Sequence, residues 1–166
     1  MQYPRTGHTT IGLVLTTFWL TACNGDADPI AVDLRFEALL NGTPVTMDET
    51  YEGLGTNASD FTPELIWMYV SNLALIDEGG EEVPVTLDED GQFQALGTGM
   101  LAFEAPNSED LSNTKLTGSV PAGNYQGLSF DLGLPPELNH GNLASLPAPL
   151  NFTEMSWGWI AGHKFL

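Results

Sequence analysis

Residues 65–76 limit the possible folds of this chain more than any other stretch, because they are apolar on both faces of an extended strand. Side chains of a strand point alternately to opposite faces. Here Trp67 and Tyr69 alternate with Met68 and Val70, so neither face is polar. A strand of this kind has to be covered on both sides. The stretch therefore predicts a central strand in a layered β-protein.

The rest of the chain favours further strands and gives little sign of helix. Residues 30–38 alternate between apolar and polar side chains, which indicates a strand with one wet face. Six more stretches are strand candidates: 83–87, 92–96, 99–104, 115–120, 125–132 and 154–166. Gly, Pro, Asn and Asp separate them, and no segment keeps a helical period over more than two turns. We predict an all-β, antiparallel β-sandwich that forms a single domain over residues 30–166.

The N-terminus has the features of a lipoprotein signal peptide at residues 1–22. Arg5 precedes a short apolar run, and the string LTAC ends at Cys23. The run is shorter than the roughly 20 apolar residues that a membrane-spanning helix needs. We therefore predict cleavage before Cys23, a lipid on that cysteine and a tether over residues 23–29. Asn24 follows the cysteine where an aspartate often marks inner-membrane retention, so an outer-membrane or periplasmic-face location in a Gram-negative cell is expected.

Cysteine content and charge exclude several kinds of function. Cys23 is the only cysteine, so a lipid there leaves no thiolate for a metal or a nucleophile and no disulfide. The net charge is −18, and only three basic side chains follow Cys23. Such a chain repels nucleic acid. Because the sequence also lacks a G-x-S-x-G elbow, a phosphate-binding loop and an H-E-x-x-H helix, we predict that it is not an enzyme.

His140 and His163 are the only histidines beyond Cys23, so any imidazole site must use one or both. His140 lies in residues 135–150, a stretch with four prolines that predicts a long ordered loop. His163 lies in the predicted last strand. A surface histidine without function remains the alternative for His140.

The predicted last strand would place soft and borderline metal ligands on one face. Met155, Trp157, Trp159 and His163 fall at alternate positions, where same-face neighbours are about 7 Å apart. Thioether and imidazole ligands suit copper better than calcium or magnesium, which makes copper the natural cofactor hypothesis. The alternative is that these side chains are simply sandwich core.

Four strings of the sequence are similar to those of a known family: LRFEALLNG at 34–42, YVSNLALID at 69–77, VPAGNYQGLSFDLGLPPELNH at 120–140 and APLNFTEMSWGWIAGHKFL at 148–166. Together they resemble the MbnP-like family of methanobactin-operon-associated copper-binding proteins, which is related to the surface proteins MopE and CorA. The resemblance implies a β-rich copper-binding protein. It also implies that a partner diheme enzyme of the peroxidase type (MbnH-like) oxidises a tryptophan to kynurenine, whose amine joins histidines at the copper.

Carried onto this chain, the resemblance implies roles for particular residues. The implied metal ligands are His140, in the string L-N-H, and His163, with Met155 as a possible additional ligand. The implied positions for modification are Trp157 and Trp159, in the string M-x-W-x-W, followed by Trp67.

The chain also departs from the family pattern. Some copper-binding members carry histidine near the position of Ser71, and the last motif reads G-H-K-F at 162–165 where G-Y-K-F is common. Relatives continue beyond the position of Leu166, so we expect a domain that is incomplete at its C-terminus. The alternative function is a surface interaction or adhesion module that binds no metal.

Overall fold

The computed structural model describes residues 28–104, 112–157 and 162–164, so the predicted signal peptide and Cys23 lie outside the described residues. The strands in these ranges are β1 Ile30–Arg35, β2 Leu39–Leu40, β3 Thr43–Pro44, β4 Tyr51–Leu54, β5 Ser59–Phe61, β6 Leu65–Asp77, β7 Glu82–Pro84, β8 Thr86–Leu87, β9 Gln94–Ala95, β10 Thr98–Glu104, β11 Lys115–Val120 and β12 Tyr125–Leu132. They are followed by one short helix, α1 Pro136–Asn139, and by two 3₁₀ turns, Leu143–Ser145 and Thr153–Met155. All pairings between these strands are antiparallel, which confirms the predicted all-β fold.

Two main sheets form the layers of the fold. The large sheet has the order β12-β6-β10-β9, with β7 also paired to β6, and the small sheet has the order β1-β11-β8. Two hairpins, β2-β3 and β4-β5, stand apart from these sheets. None of the described helices is long and apolar enough to span a membrane.

The main core fills the space between the two sheets. The small sheet supplies Leu34, Leu116 and Val120, and the large sheet supplies Val70, Leu73, Leu75 and Leu101. The sheets approach closely at Gly99, where an added Cβ would lie 2.6 Å from a methyl carbon of Leu116. A side chain at this position would therefore push the layers apart.

A second core lies on the other face of the large sheet. Tyr69, Met100 and Ala102 are buried there under Leu150 and Met155, which belong to the chain that follows β12. Both faces of β6 are thus covered, as its two apolar faces predicted. The covering chain positions the candidate site described below.

A buried amide links the two sheets directly. Gln94 in β9 is 2% exposed, and its Nε2 donates hydrogen bonds to the carbonyls of Asp88 and Thr117, both at 2.8 Å. Its Oε1 accepts the backbone N–H of Thr117 at 2.7 Å. Because Thr117 belongs to β11, this side chain ties the large sheet to the small one.

The predicted strand at 154–166 is wrong. Thr153–Met155 is a 3₁₀ turn, and the chain then reverses direction. Residues 156–157 and 162–164, which we call the terminal hairpin, are antiparallel neighbours: the N–H of Trp157 donates to Gly162 O at 2.9 Å, and the N–H of Lys164 donates to Met155 O at 2.8 Å. Met155, Trp157 and His163 therefore do not share the face of one strand.

Two further details differ from the sequence predictions. Residues 83–87 do not form one strand, since β7 pairs with the large sheet and β8 with the small one. The two hairpins between residues 39 and 61 were not predicted at all. Their strands are two to four residues long, too short for an alternating pattern to stand out.

Candidate metal-binding cleft

A cleft with a volume of about 350 Å³ lies where the chain after β12 meets the terminal hairpin. Its lining residues are Asn139, His140, Gly141, Asn142, Leu143, Ser156, Gly162 and His163. The first five come from the end of α1 and the turn after it, and the last three come from the terminal hairpin. The fold thus brings both histidines of the described chain to one cavity.

His163 is 5% exposed, and each of its ring nitrogens lies next to a backbone carbonyl. Nδ1 is 2.8 Å from Asn139 O, and Nε2 is 2.9 Å from Leu150 O. Carbonyl oxygens only accept hydrogen bonds, so the ring donates to both only when both nitrogens carry hydrogen. A neutral ring therefore ties the terminal hairpin to one end of the segment that carries His140, and only the doubly protonated ring ties it to both ends.

Asn139 completes this connection from the other side. Its side-chain Oδ1 accepts the backbone N–H of His163 at 2.8 Å. The close approach needs a glycine next to His163: Gly162 has a φ of +82°, and an added Cβ would lie 2.5 Å from the same Oδ1. Any other residue at position 162 would strain the backbone and collide with Asn139.

His140 lies on the rim of the cleft and is exposed. It follows directly on α1, where its backbone N–H donates to Leu138 O. The helical turn is held by a bond from the N–H of Asn139 to Pro135 O at 3.1 Å. The imidazole thus sits at the end of a short fixed turn, next to the residue that binds His163.

The two described tryptophans among those proposed for modification have different surroundings. Trp157 is 70% exposed, and Lys164 Nζ lies 4.5 Å from the centroid of its ring. Trp67 is half-buried at the edge of the second core, and its Nε1–H donates to Glu104 Oε1 at 2.7 Å. Trp159 lies outside the described residues. Trp157 is therefore not a core residue.

Tyr69 and Met155 lie beneath the cleft in the second core. The Tyr69 ring meets the His163 ring edge-on, with centroids 5.9 Å apart, and its hydroxyl donates to Pro149 O at 2.8 Å. Burial raises the pKa of the Tyr69 phenol above its ordinary value. Met155 is buried in the same cluster. These side chains form the apolar floor behind His163.

Ser71, the position that the resemblance associated with histidine, is buried two residues beyond Tyr69 in β6. It stands directly opposite Thr98 of β10. Neither hydroxyl has a hydrogen-bond partner among the described residues. Buried hydroxyls of this kind are uncommon in folded proteins, because an unmade hydrogen bond costs free energy.

Sequence reasoning missed three residues that position His163 in the cleft. Asn139, Leu150 and Tyr69 hold His163, two of them through backbone oxygens that no side-chain pattern reveals. Asn139 alone carried a signal, since it adjoins His140 in the string L-N-H. In the part of the chain that the structure describes, no three His, Cys, Asp or Glu side chains are grouped closely enough to hold a metal ion.

Comparison with known proteins identifies relatives of this fold. A family model described as MbnP matches residues 29–166. The solved structure of MbnP from Methylosinus trichosporium is similar, with a TM-score of 0.70 and 25% sequence identity over 84% of this chain and 54% of that chain. This chain thus spans about half the length of that protein. No curated protein sequence matches the chain. On the family match, the chain belongs to the MbnP family.

Proposed function

We propose that this protein is an exported, lipid-anchored copper-binding protein that holds the ion in the cleft between His140 and the terminal hairpin. One observation carries the proposal: two histidines that are 23 positions apart in the sequence line a single cavity. Family membership supports a methanobactin-associated role. Imidazole nitrogen is a ligand type that suits copper.

The cleft residues fit a copper ion in part. His140 lies exposed on the rim of the cleft, on the side open to solvent. His163 becomes a ligand only if its bond to Asn139 O or Leu150 O opens. We therefore assign the direct ligand role to His140 and treat His163 first as the residue that holds the cleft together.

A further donor is needed, because two imidazoles do not complete a copper site. In the proposal this donor is the aniline-type nitrogen of a kynurenine, made from Trp157, Trp159 or Trp67 by a partner diheme enzyme. An indole nitrogen is a poor ligand because its lone pair belongs to the ring, whereas ring opening frees an amine. Met155 could contribute a thioether only after leaving the core in which it is buried.

The lipid anchor on Cys23 gives the protein its proposed place outside the cytoplasm. It would hold the acidic domain at the outer membrane or at the periplasmic face. That location brings the domain together with exported partner enzymes, and it keeps the copper chemistry away from cytoplasmic thiols.

Metal analysis of variants tests the proposal. We would express the protein with its export signal beside the partner diheme enzyme and measure copper per chain. His140→Ala should lose most of the copper while the thermal unfolding midpoint stays close to that of the unchanged protein. Glu137→Gln, on the same short helix, serves as the matched control and should keep its copper. Equal copper in His140→Ala and the unchanged protein would refute the assignment.

His163→Gln separates the two roles of His163. If the residue holds the cleft together, the variant unfolds at lower temperature and binds copper about 10- to 100-fold more weakly, as for residues that orient a metal ligand. If it is a direct ligand, copper is lost without a matching loss of stability.

A further inference from the structure

Trp67 has a proton acceptor built into its surroundings. Its indole N–H donates to Glu104 Oε1 at 2.7 Å, a short bond to a carboxylate. The register explains the contact: Trp67 pairs with Ala102 across β6 and β10, and Glu104 is two residues further on the same face. The pair is partly buried at the edge of the second core.

Two other described aromatic side chains of this region that carry an N–H or O–H, those of Tyr69 and Trp157, show no such bond to a carboxylate. The Tyr69 hydroxyl donates to the carbonyl of Pro149, which is not a base. Trp157 lies under the ammonium group of Lys164, at 4.5 Å from the ring centroid. A cation in that position is attracted to the neutral ring but opposes the positive charge that forms when the ring loses an electron.

We propose that Trp67 and Glu104 form a proton-coupled redox pair. When a one-electron oxidant takes an electron from the Trp67 indole, the N–H bond breaks and the proton moves to Glu104 Oε1, where an O–H bond forms. The products are a neutral indolyl radical, a neutral carboxylic acid and the reduced oxidant. No positive charge is left in the partly apolar surroundings, where it would be costly.

In the cell this inference rests on the proposed function, because the partner diheme enzyme supplies the oxidant. The chemistry at Trp67 requires no copper. Of the described tryptophans, Trp67 is therefore the one whose surroundings favour oxidation most, whereas the family resemblance placed it after Trp157.

Photo-oxidation of the purified, metal-free chain by a ruthenium(III) polypyridyl complex tests the pair. Transient absorption distinguishes the deprotonated indolyl radical from the protonated radical cation, and peptide mass spectrometry measures oxidation at each tryptophan. Glu104→Gln keeps a hydrogen-bond acceptor but removes the base. Oxidation of Trp67 should fall on the order of 10²-fold, the lower end of what a positioned proton acceptor contributes. Oxidation of Trp157 should not change.

Two comparisons keep the test decisive. Glu64→Gln, an exposed residue just before β6, is the matched control and should leave Trp67 oxidation unchanged. Lys164→Met should increase oxidation of Trp157 only.

The unchanged protein should also react more slowly at Trp67 in D₂O, a result that needs no variant. A radical cation at Trp67 in the unchanged protein, or an unaltered Trp67 rate in a folded Glu104→Gln, would overturn the proposal. Because no copper is present, these outcomes are independent of whether the cleft binds copper.

Discussion

Replacing Gln94 by methionine removes the side-chain link between the two sheets while keeping a similar volume. The change deletes three hydrogen bonds, two donated to the carbonyls of Asp88 and Thr117 and one accepted from the Thr117 N–H. Each such bond contributes about 1 kcal/mol net, and a buried partner left unpaired costs about 1–3 kcal/mol more. The apolar side chain recovers some of this by burial. We expect the free energy of unfolding to fall by about 3 kcal/mol, a large part of the roughly 5–15 kcal/mol of an ordinary domain.

Urea unfolding followed by fluorescence measures this loss. The midpoint should fall while the slope of the transition stays constant, because the change alters stability and not the area exposed on unfolding. Gln92→Met is the matched control: Gln92 is exposed two residues away, and its replacement should change stability by less than about 0.5 kcal/mol. If Gln94→Met were as stable as Gln92→Met, the inference that this amide ties the sheets together would be refuted.

Two further changes test the cores. Tyr69→Phe removes the bond to Pro149 O and should cost about 1 kcal/mol in urea unfolding. Because burial raises the pKa of the Tyr69 phenol in the folded state, the contribution of the neutral phenol to stability is intact below the ordinary pKa of about 10 and is lost as the pH rises further. Tyr69→Phe should therefore lose less stability than the unchanged protein in strong base. An equal loss in both proteins would contradict this. Gly118→Ala drives a Cβ into the backbone of Thr86 and should lower stability by about 1–3 kcal/mol in thermal unfolding. In Gly123→Ala the added Cβ would only touch the Tyr125 ring, at an ordinary contact distance of 3.4 Å, so stability should not fall. Equal midpoints for the two variants would argue against the tight approach of β8 and β11.

The central strand was predictable because its signal is local. Residues 65–76 are apolar on both faces, and β6 is indeed covered by one core on each side. The link through Gln94 could not be foreseen, since a polar residue in a short strand is normally read as exposed. Its partners are backbone atoms of Asp88, just after β8, and of Thr117 in β11, and only folding brings Thr117 near.

The terminal hairpin shows why alternation can mislead. Residues 154–166 alternate well enough to predict one strand, yet residues 155–157 and 162–164 are antiparallel neighbours. Gly162, which has a φ of +82°, was a signal in the sequence against a continuous strand. The prediction grouped His163 with the tryptophans along one strand face, whereas the fold places it against Asn139 and Leu150. The cleft with His140 arises from that reversal.

X-ray absorption spectroscopy of the copper-loaded protein tests the central claim most directly, because it reports the atoms bound to the metal. For the unchanged protein we predict scattering from imidazole nitrogen, together with copper close to one ion per chain. In His140→Ala the imidazole signal should fall along with the copper content. A copper environment without imidazole, or one that is identical in His140→Ala, would contradict a site in this cleft.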